Sequence, residues 1–137
     1  MVKHLYLVAY HEKGRRPVPA HWALLLTDDD DVKEGPVYHA VGSPFTGYQV
    51  EVKPRYNLEL TTRRHSTILL GVIHDGWVAQ LATMAHQVAA PGISSTPLDA
   101  FAGKNCQNWV SDFIDYLIEQ GVIDSTARNN LSSAPKV

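Results

Sequence analysis

The chain has 137 residues and a mass of 15.2 kDa, the size of one domain with its own core. Its 12 Lys and Arg residues against 14 Asp and Glu residues give a net charge of −2, which argues against a nucleic-acid partner bound by bulk positive charge. A single cysteine excludes an internal disulfide. We expect one domain over residues 1–124 and, because Ser and Asn residues are frequent near the end, a frayed tail over residues 125–137.

The sequence contains no signal-peptide or membrane-spanning pattern. The apolar run over residues 2–10 is short, includes Lys3 and His4, and has no small-residue cleavage site after it. No run approaches the roughly 18 apolar residues of a membrane span. We therefore expect a cytoplasmic protein with a reduced thiol and no stable membrane anchor, and we leave its oligomeric state open.

The first half of the chain has the pattern of strands. Short apolar or alternating runs predict five of them, at residues 5–10, 22–27, 37–41, 48–52 and 66–73. The last run is the strongest candidate for a central strand, and Pro54 is expected to end the fourth. The acidic run over residues 28–31 is interpreted as a solvated hairpin tip.

The second half has the pattern of helices. Apolar residues recur at 3- and 4-residue steps over residues 77–88 and again after Asn105, a candidate N-cap, with Gly121 placed as a C-terminal cap. Strands followed by helices predict an α+β fold, with an antiparallel sheet of about five strands packed on helices. The second helix is expected to bury one stripe: Trp109, Val110, Phe113, Ile114, Leu117 and Ile118.

Cys106 lies at the start of that second helix, on the side of Trp109 and Phe113. Free backbone N–H groups and the helix dipole favour a thiolate there, which predicts a pKa below the usual value of about 8.5. This position suits a nucleophile. The alternative is a small buried core residue, which is the commoner role of a lone cysteine.

A cysteine nucleophile needs a base and a group that orients the base. His21 begins the second predicted strand and His39 lies in the third. A turn centred near Asp30 would place the two imidazoles directly opposite each other, so one could accept the thiol proton while the other holds its tautomer. Alternatively, His39 is a core histidine bonded to backbone. The remaining histidines are weaker candidates: His4, His11, His65, His74 and His86.

No pattern in the sequence points to a metal or a cofactor. The histidines and the cysteine lack the spacing of a zinc site, and the glycines form no phosphate-binding loop, so we expect neither. A basic cluster could meet an anionic substrate group or be a solvated loop. It consists of Lys53, Arg55, Arg63 and Arg64.

Three motifs occur in one order: His-Trp-Ala-Leu-Leu-Leu at residues 21–26, Tyr-His-Ala-Val at 38–41 and Asn-Cys-Gln-Asn-Trp-Val at 105–110. Their combination resembles the circularly permuted papain-like thiol enzymes, which include lecithin–retinol acyltransferase-like, permuted NlpC-type and PPPDE-type families. The resemblance spans His21 to about Ile118. It implies a sheet packed on the cysteine-bearing helix, with Cys106 as nucleophile, His21 as base and His39 as the orienting residue.

The chain departs from the acyltransferase relatives in two respects. It has no apolar C-terminal helix, and it carries Gln107 where those relatives tend to have an acid. The favoured interpretation is a soluble cysteine hydrolase that cleaves an amide, isopeptide or ester bond through a thioester. The alternatives are an acyltransferase on a lipid or small molecule, and a catalytically silent domain that binds a ligand or a protein.

Further residues are candidates for contact with the substrate or its oxyanion. The backbone N–H of Cys106 would hold the oxyanion, with additional donors around the helix start. The oxyanion and substrate-side candidates are Asn105, Gln107 and Lys104. The substrate-binding candidates are Trp22, Tyr38, Arg63 and Arg64.

Overall fold

The described part of the chain contains five strands followed by three helices. The computed structural model describes residues 1–12, 18–28, 34–99 and 101–137. The strands are β1 (Val2–Tyr10), β2 (His21–Thr27), β3 (Glu34–Ser43), β4 (Gly47–Asn57) and β5 (His65–His74). The helices are α1 (Val78–Gln87), α2 (Cys106–Glu119) and α3 (Thr126–Ser132), with short 3₁₀ turns at Leu58–Leu60 and Asp75–Trp77. The α+β class and the five-stranded sheet predicted from the sequence are confirmed.

The sheet is antiparallel, with the strand order β4-β3-β2-β1-β5. β2 is therefore central, and the prediction that the run at residues 66–73 forms a central strand is wrong. That run lies in β5 at the sheet edge, where Leu70 and Ile73 are buried while Leu69 and Val72 are 43% and 46% exposed. Helix α3 packs on β5, and this one-sided cover explains the apolar composition of an edge strand.

β4 continues through Pro54, which was expected to end it, and reaches Asn57. The side of β4 that faces away from β3 has no partner strand within the described sheet. A proline whose missing N–H would point to that side removes no hydrogen bond between strands. A register shift in β3 between Gly35 and Val37 lies opposite this stretch. Irregular pairing at an edge is where a strand tolerates proline.

Alternate residues of β2 face two different environments. Trp22, Leu24 and Leu26 are buried against the helices in the main core. Ala23 and Leu25 face the other side, in a smaller apolar cluster with Val8, Tyr10, Val37 and Leu58. Consecutive side chains of a strand point to opposite faces, so a shift of one residue moves a side chain from one environment to the other.

Helix α2 begins as predicted. The Asn105 side chain accepts a hydrogen bond from the N–H of Gln107 at 2.9 Å, and Asn108 Oδ1 accepts from the N–H of Asn105 at 2.8 Å. This capping box satisfies N–H groups that the helix leaves free. Gly121, with φ of +74°, follows the helix end in the left-handed conformation that a glycine adopts easily. The predicted apolar stripe is buried, with Ile118 partly so.

The C-terminal segment, expected to fray after Asp124, is instead folded. α3 buries Ala127 and Leu131, and Ala134 beyond it is also buried. Asn130 donates its amide to the carbonyl of Leu70 at 3.0 Å. The apolar residues are few but occur at a helical spacing, so they cover β5 although the composition is polar.

Two further sequence predictions concern the hairpin tip and the membrane. The acidic tip at residues 28–31 lies, apart from Asp28, outside the described residues, and Asp28 forms an ion pair with Lys3. Among the helices that are described, none has the length and apolar character needed to cross a membrane.

Candidate functional site

His21 and His39 form a hydrogen-bonded pair on the sheet face that the helices leave open. His21 Nε2 lies 2.9 Å from His39 Nδ1. The residue opposite His39 on β2 is Ala23, not His21 as the predicted turn centre implied. Because a displacement of two residues keeps a side chain on the same face, His21 still reaches His39 diagonally.

A third residue extends this pair into a chain. His39 Nε2 lies 2.7 Å from Glu51 Oε1 on β4, and His39 and Glu51 are directly paired in the β3–β4 ladder. The carboxylate can only accept, so His39 Nε2 carries a proton and its Nδ1 accepts from the Nε2–H of His21. The remaining nitrogen of His21, Nδ1, is then left with a lone pair. We call this chain the Glu51–His39–His21 relay.

The relay is neutral in its histidines and ionised at its carboxylate. Burial lowers the pKa of His21 to about 4, and the neighbouring His39, Arg63 and Lys53 act in the same direction because they oppose a second positive charge. Burial lowers the pKa of His39 as well, although Glu51 opposes this shift. The hydrogen bond from His39 lowers the pKa of the Glu51 carboxyl. At neutral pH, His21 Nδ1 is therefore an unprotonated base.

Aromatic and basic side chains surround the relay. A small cavity of about 60 Å³ is lined by His21, His39, Ala23, Val37, Tyr10, Tyr56, Lys53 and Arg63. The Tyr10 hydroxyl donates to the Tyr56 hydroxyl at 2.9 Å, and the rings of Tyr10 and His21 stack. Arg63, a predicted substrate-binding residue, thus lies beside the predicted base.

Cys106 is placed in the helix-covered layer, where it belongs to the main core and is 6% exposed. Its thiol donates to the carbonyl of Ala20 at 3.9 Å. The β2–β3 ladder ends at Ala23 and His39. The thiol therefore contacts the backbone just before β2, beyond the end of this ladder and next to His21.

The prediction of a lowered cysteine pKa is wrong in direction. Burial raises the pKa of the Cys106 thiol, and this outweighs the backbone N–H groups of Trp22, Gln107 and Cys106, which lower it. Desolvation disfavours a charged sulfur more than a helix start favours it here. The thiol is protonated at neutral pH.

The structure brings the two histidines together but not the thiol and its predicted base. In the described part of the chain, no hydrogen bond joins Cys106 to His21 or His39. His21 faces the open side of the sheet with Ala23, while Trp22 faces the helices. The relay and the sulfur therefore lie on opposite sides of β2.

A larger cleft opens on the helix-covered side, next to the start of α2. It has a volume of about 480 Å³, and its lining includes Asn105 and Gln107, two of the predicted substrate-side residues. Gln107 Nε2 donates both to the Ala20 carbonyl at 2.9 Å and to the Lys136 carbonyl at 2.8 Å. The Ala20 N–H also donates to the Lys136 carbonyl at 2.9 Å. The C-terminal residues thus pack against the start of β2, near the thiol.

The other residues predicted to contact the substrate are either buried or lie outside the relay cavity. Tyr38 is buried with its ring near Phe113, so it is a core residue and is not accessible to a substrate. Trp22 is 1% exposed, and its indole N–H donates to the carbonyl of Pro135. Lys104 and Arg64 are exposed, and neither lines the relay cavity.

Sequence reasoning missed Glu51, although a signal for it exists. A hairpin turn centred on Phe45 pairs residue 39 with residue 51, and Glu51 is the charged residue between Val50 and Val52. The same centring argument that connected His21 and His39 would have found it. Tyr10 and Tyr56 had no such signal, because their approach depends on the register of three strand pairs, β1–β2, β2–β3 and β3–β4.

The arrangement offers acid–base chemistry and no evident metal centre. Within residues 1–12, 18–28, 34–99 and 101–137, no three His, Cys, Asp or Glu side chains are grouped as a metal site would require. The fold and the relay describe an α+β protein with a histidine-centred candidate site. Residues 5–124 match DUF6540, a family of unknown function, and the chain belongs to this family. Neither a curated protein nor a solved structure matches it significantly.

Proposed function

We propose that this protein is a cysteine hydrolase that cleaves an amide, isopeptide or ester bond through a thioester on Cys106. The observation that carries the proposal is the Glu51–His39–His21 relay, which leaves a lone pair on His21 Nδ1, while the thiol contacts the carbonyl of the preceding residue, Ala20. The motif resemblance to permuted papain-like enzymes supports the same roles for Cys106 and His21.

The reaction starts from a neutral thiol and a neutral imidazole. His21 Nδ1 accepts the thiol proton as sulfur attacks the substrate carbonyl, so no stable thiolate is required despite the raised cysteine pKa. In the resting structure the thiol is directed at the Ala20 carbonyl and must turn toward His21. The end of the β2–β3 ladder before His21 leaves this stretch of β2 without a β3 partner that would block the movement.

The remaining steps release the two products and restore the free enzyme. The backbone N–H of Cys106 at the start of α2 holds the oxyanion. Collapse of the tetrahedral intermediate breaks the C–N or C–O bond, and protonated His21 gives its proton to the leaving group. Water, deprotonated by His21, then attacks the thioester, which releases the acid and restores the thiol.

Acetyl transfer from p-nitrophenyl acetate tests the proposal without knowledge of the substrate. The measurement is the rate at which intact protein gains one acetyl group on Cys106, by mass spectrometry. His21→Ala should lower this rate about 10²-fold or more, and Cys106→Ala should abolish it, while both variants retain the wild-type circular dichroism. The matched control is His65→Ala, which removes a histidine outside the relay cavity. An unchanged rate in His21→Ala would refute the mechanism.

Deacylation separates hydrolysis from transfer. If the acetyl-enzyme decays in water at the rate of turnover, the protein is a hydrolase. If decay depends on an added alcohol or amine, the acyltransferase alternative holds with the same thioester.

A second candidate function is a catalytically silent binding domain with the same fold. The observation that favours it is the thiol itself, which is buried, protonated and engaged by a backbone carbonyl. Iodoacetamide distinguishes the two. A silent domain should alkylate no faster than a free cysteine at every pH and show no dependence on His21.

A further inference from the structure

Two cations flank the relay cavity on the open face of the sheet. The Lys53 ammonium lies 5.4 Å from the centre of the Tyr56 ring, and the Arg63 guanidinium lies 4.5 Å from the centre of the Tyr10 ring. Cation–π contacts of this kind hold a long basic side chain in place and leave its N–H groups able to bind other groups. Both side chains line the cavity that contains His21.

The charges of these cations are only partly neutralised. Arg63 forms an ion pair with Glu12 at 2.9 Å, with both side chains about half exposed, and such exposed pairs contribute little. Within the described residues Lys53 forms no ion pair. Glu51, the other carboxylate nearby, is engaged by His39. Burial is the main cause of the lowered pKa of His21, and Arg63 and Lys53 contribute to the same shift.

The tyrosine pair adds a neutral donor to the same place. The Tyr10 hydroxyl gives its proton to the Tyr56 oxygen, so the Tyr56 proton is free to donate elsewhere. Lysine, arginine and phenol donors around one cavity suit a negatively charged oxygen group.

We infer that the open face carries a binding site for a single oxyanion group, carboxylate or phosphate, held by Lys53, Arg63 and the Tyr56 hydroxyl. The anion replaces Glu12 at Arg63 and lies beside the His21 imidazole. The inference rests on the proposed function where it assigns this anion to the substrate, which would carry its charge close to the bond that is cleaved. Anion binding itself is measurable without turnover.

The test is a titration of the full chain with inorganic phosphate or with acetate, at constant ionic strength set by sodium chloride. The readout is the His21 ring signal in ¹H–¹³C spectra, assigned with His21→Gln. We expect a saturable shift with at least one of the two anions, since a bound anion offsets the field of the two cations. Saturation by phosphate alone identifies a phosphate group, and saturation by acetate alone identifies a carboxylate.

Variants of exposed basic residues make the test specific. The double variant Lys53→Ala/Arg63→Ala should weaken the apparent affinity at least about tenfold, since it removes two charge-assisted donors. Arg55→Ala is the matched control, because Arg55 lies on the same strand but pairs with Glu34 outside the cavity. It should leave the affinity unchanged.

Three results would overturn the inference: no saturable shift with either anion, equal affinity in the double variant, or an equal loss in Arg55→Ala. None of these depends on Cys106. Loss of anion binding with intact acetyl transfer would refute this inference alone, and anion binding without acetyl transfer would refute only the proposed hydrolase.

Discussion

The two faces of the sheet give alternate residues of β2 different surroundings. On the helix-covered face, Trp22 and Leu24 of β2 pack with Phe113 and Trp109 in the main core, and Cys106 belongs to that layer. On the open face, His21 joins a relay that ends in an exposed carboxylate. Neighbouring residues of one strand therefore contribute separately to the core and to the relay, because successive side chains of a strand point to opposite faces.

The two faces of the sheet also separate His21 from Cys106. The proposed base and the proposed nucleophile belong to opposite layers, and the thiol contacts the Ala20 carbonyl just beyond the end of the β2–β3 ladder. A core layer excludes water and raises the pKa of a thiol, whereas the open layer keeps His21 Nδ1 available. The predictions below test whether the two layers act independently or through β2.

The largest effect is expected on the helix-covered face. Phe113→Ala removes a fully buried ring that contacts Trp109 and Tyr38 and should lower the free energy of unfolding by about 3–5 kcal/mol. Urea denaturation measures this change. Phe101→Ala, at a ring that is 57% exposed, is the control and should stay within about 0.5 kcal/mol. A loss below about 1 kcal/mol at Phe113, well under the range of about 3–5 kcal/mol for such truncations, would mean that this face is not the core.

The second effect concerns stability and pH on the open face. The pKa of His21 is about 4 in the folded chain and 6.5 ordinarily, so the unfolded chain binds the extra proton between these values. The contribution of neutral His21 to the free energy of unfolding is therefore fully present above about pH 6.5. As the pH falls toward 4, this contribution is lost, by up to about 3 kcal/mol. His39, whose pKa is also lowered, acts in the same direction.

Urea midpoints at about pH 7, 5.5 and 4 measure this decline. In His21→Gln, which has no titrating ring at this position, the decline should be smaller. If the two proteins lose stability in parallel, His21 is not the buried neutral base described above.

The third effect tests the relay as a positioning device. His39→Ala removes the acceptor for His21 Nε2–H and should slow acetyl transfer to Cys106 about 10²-fold. His39→Asn keeps an oxygen acceptor near the position of Nδ1 and should recover part of the rate. A purely structural role for His39 would not produce this recovery, so equal rates in the two variants would contradict positioning.

The smallest effect is expected where the C-terminal residues close over the thiol. Gln107→Ala removes donors to Ala20 O and Lys136 O, and each lost hydrogen bond should make local opening about fivefold easier. The alkylation rate of Cys106 by iodoacetamide should rise accordingly. Ser111→Ala changes another residue of the same cleft and should leave the rate as in the wild type. A rise in both variants would point to general loosening instead.

Features that depend on short-range interactions were predicted correctly, whereas features that depend on contacts between distant segments were not. Asn105 and the stripe from Trp109 to Leu117 were predictable because caps and helical periodicity are local. The position of β5 at the sheet edge was not, since an apolar run does not reveal which strands pair with it. The folded tail was missed because α3 is ordered by β5, a partner some 60 residues earlier in the sequence.

The single cysteine illustrates the same division. The sequence by itself determined that Cys106 begins a helix, that His21 and His39 lie on adjacent strands, and that their side chains share a face, because alternation and capping depend on near neighbours. Only the tertiary structure decided that Ala23 and not His21 lies opposite His39, that Tyr10 approaches Tyr56, and that the thiol is buried with a raised pKa. Strand register and desolvation depend on which distant segments pack together, and no local pattern of residues specifies them.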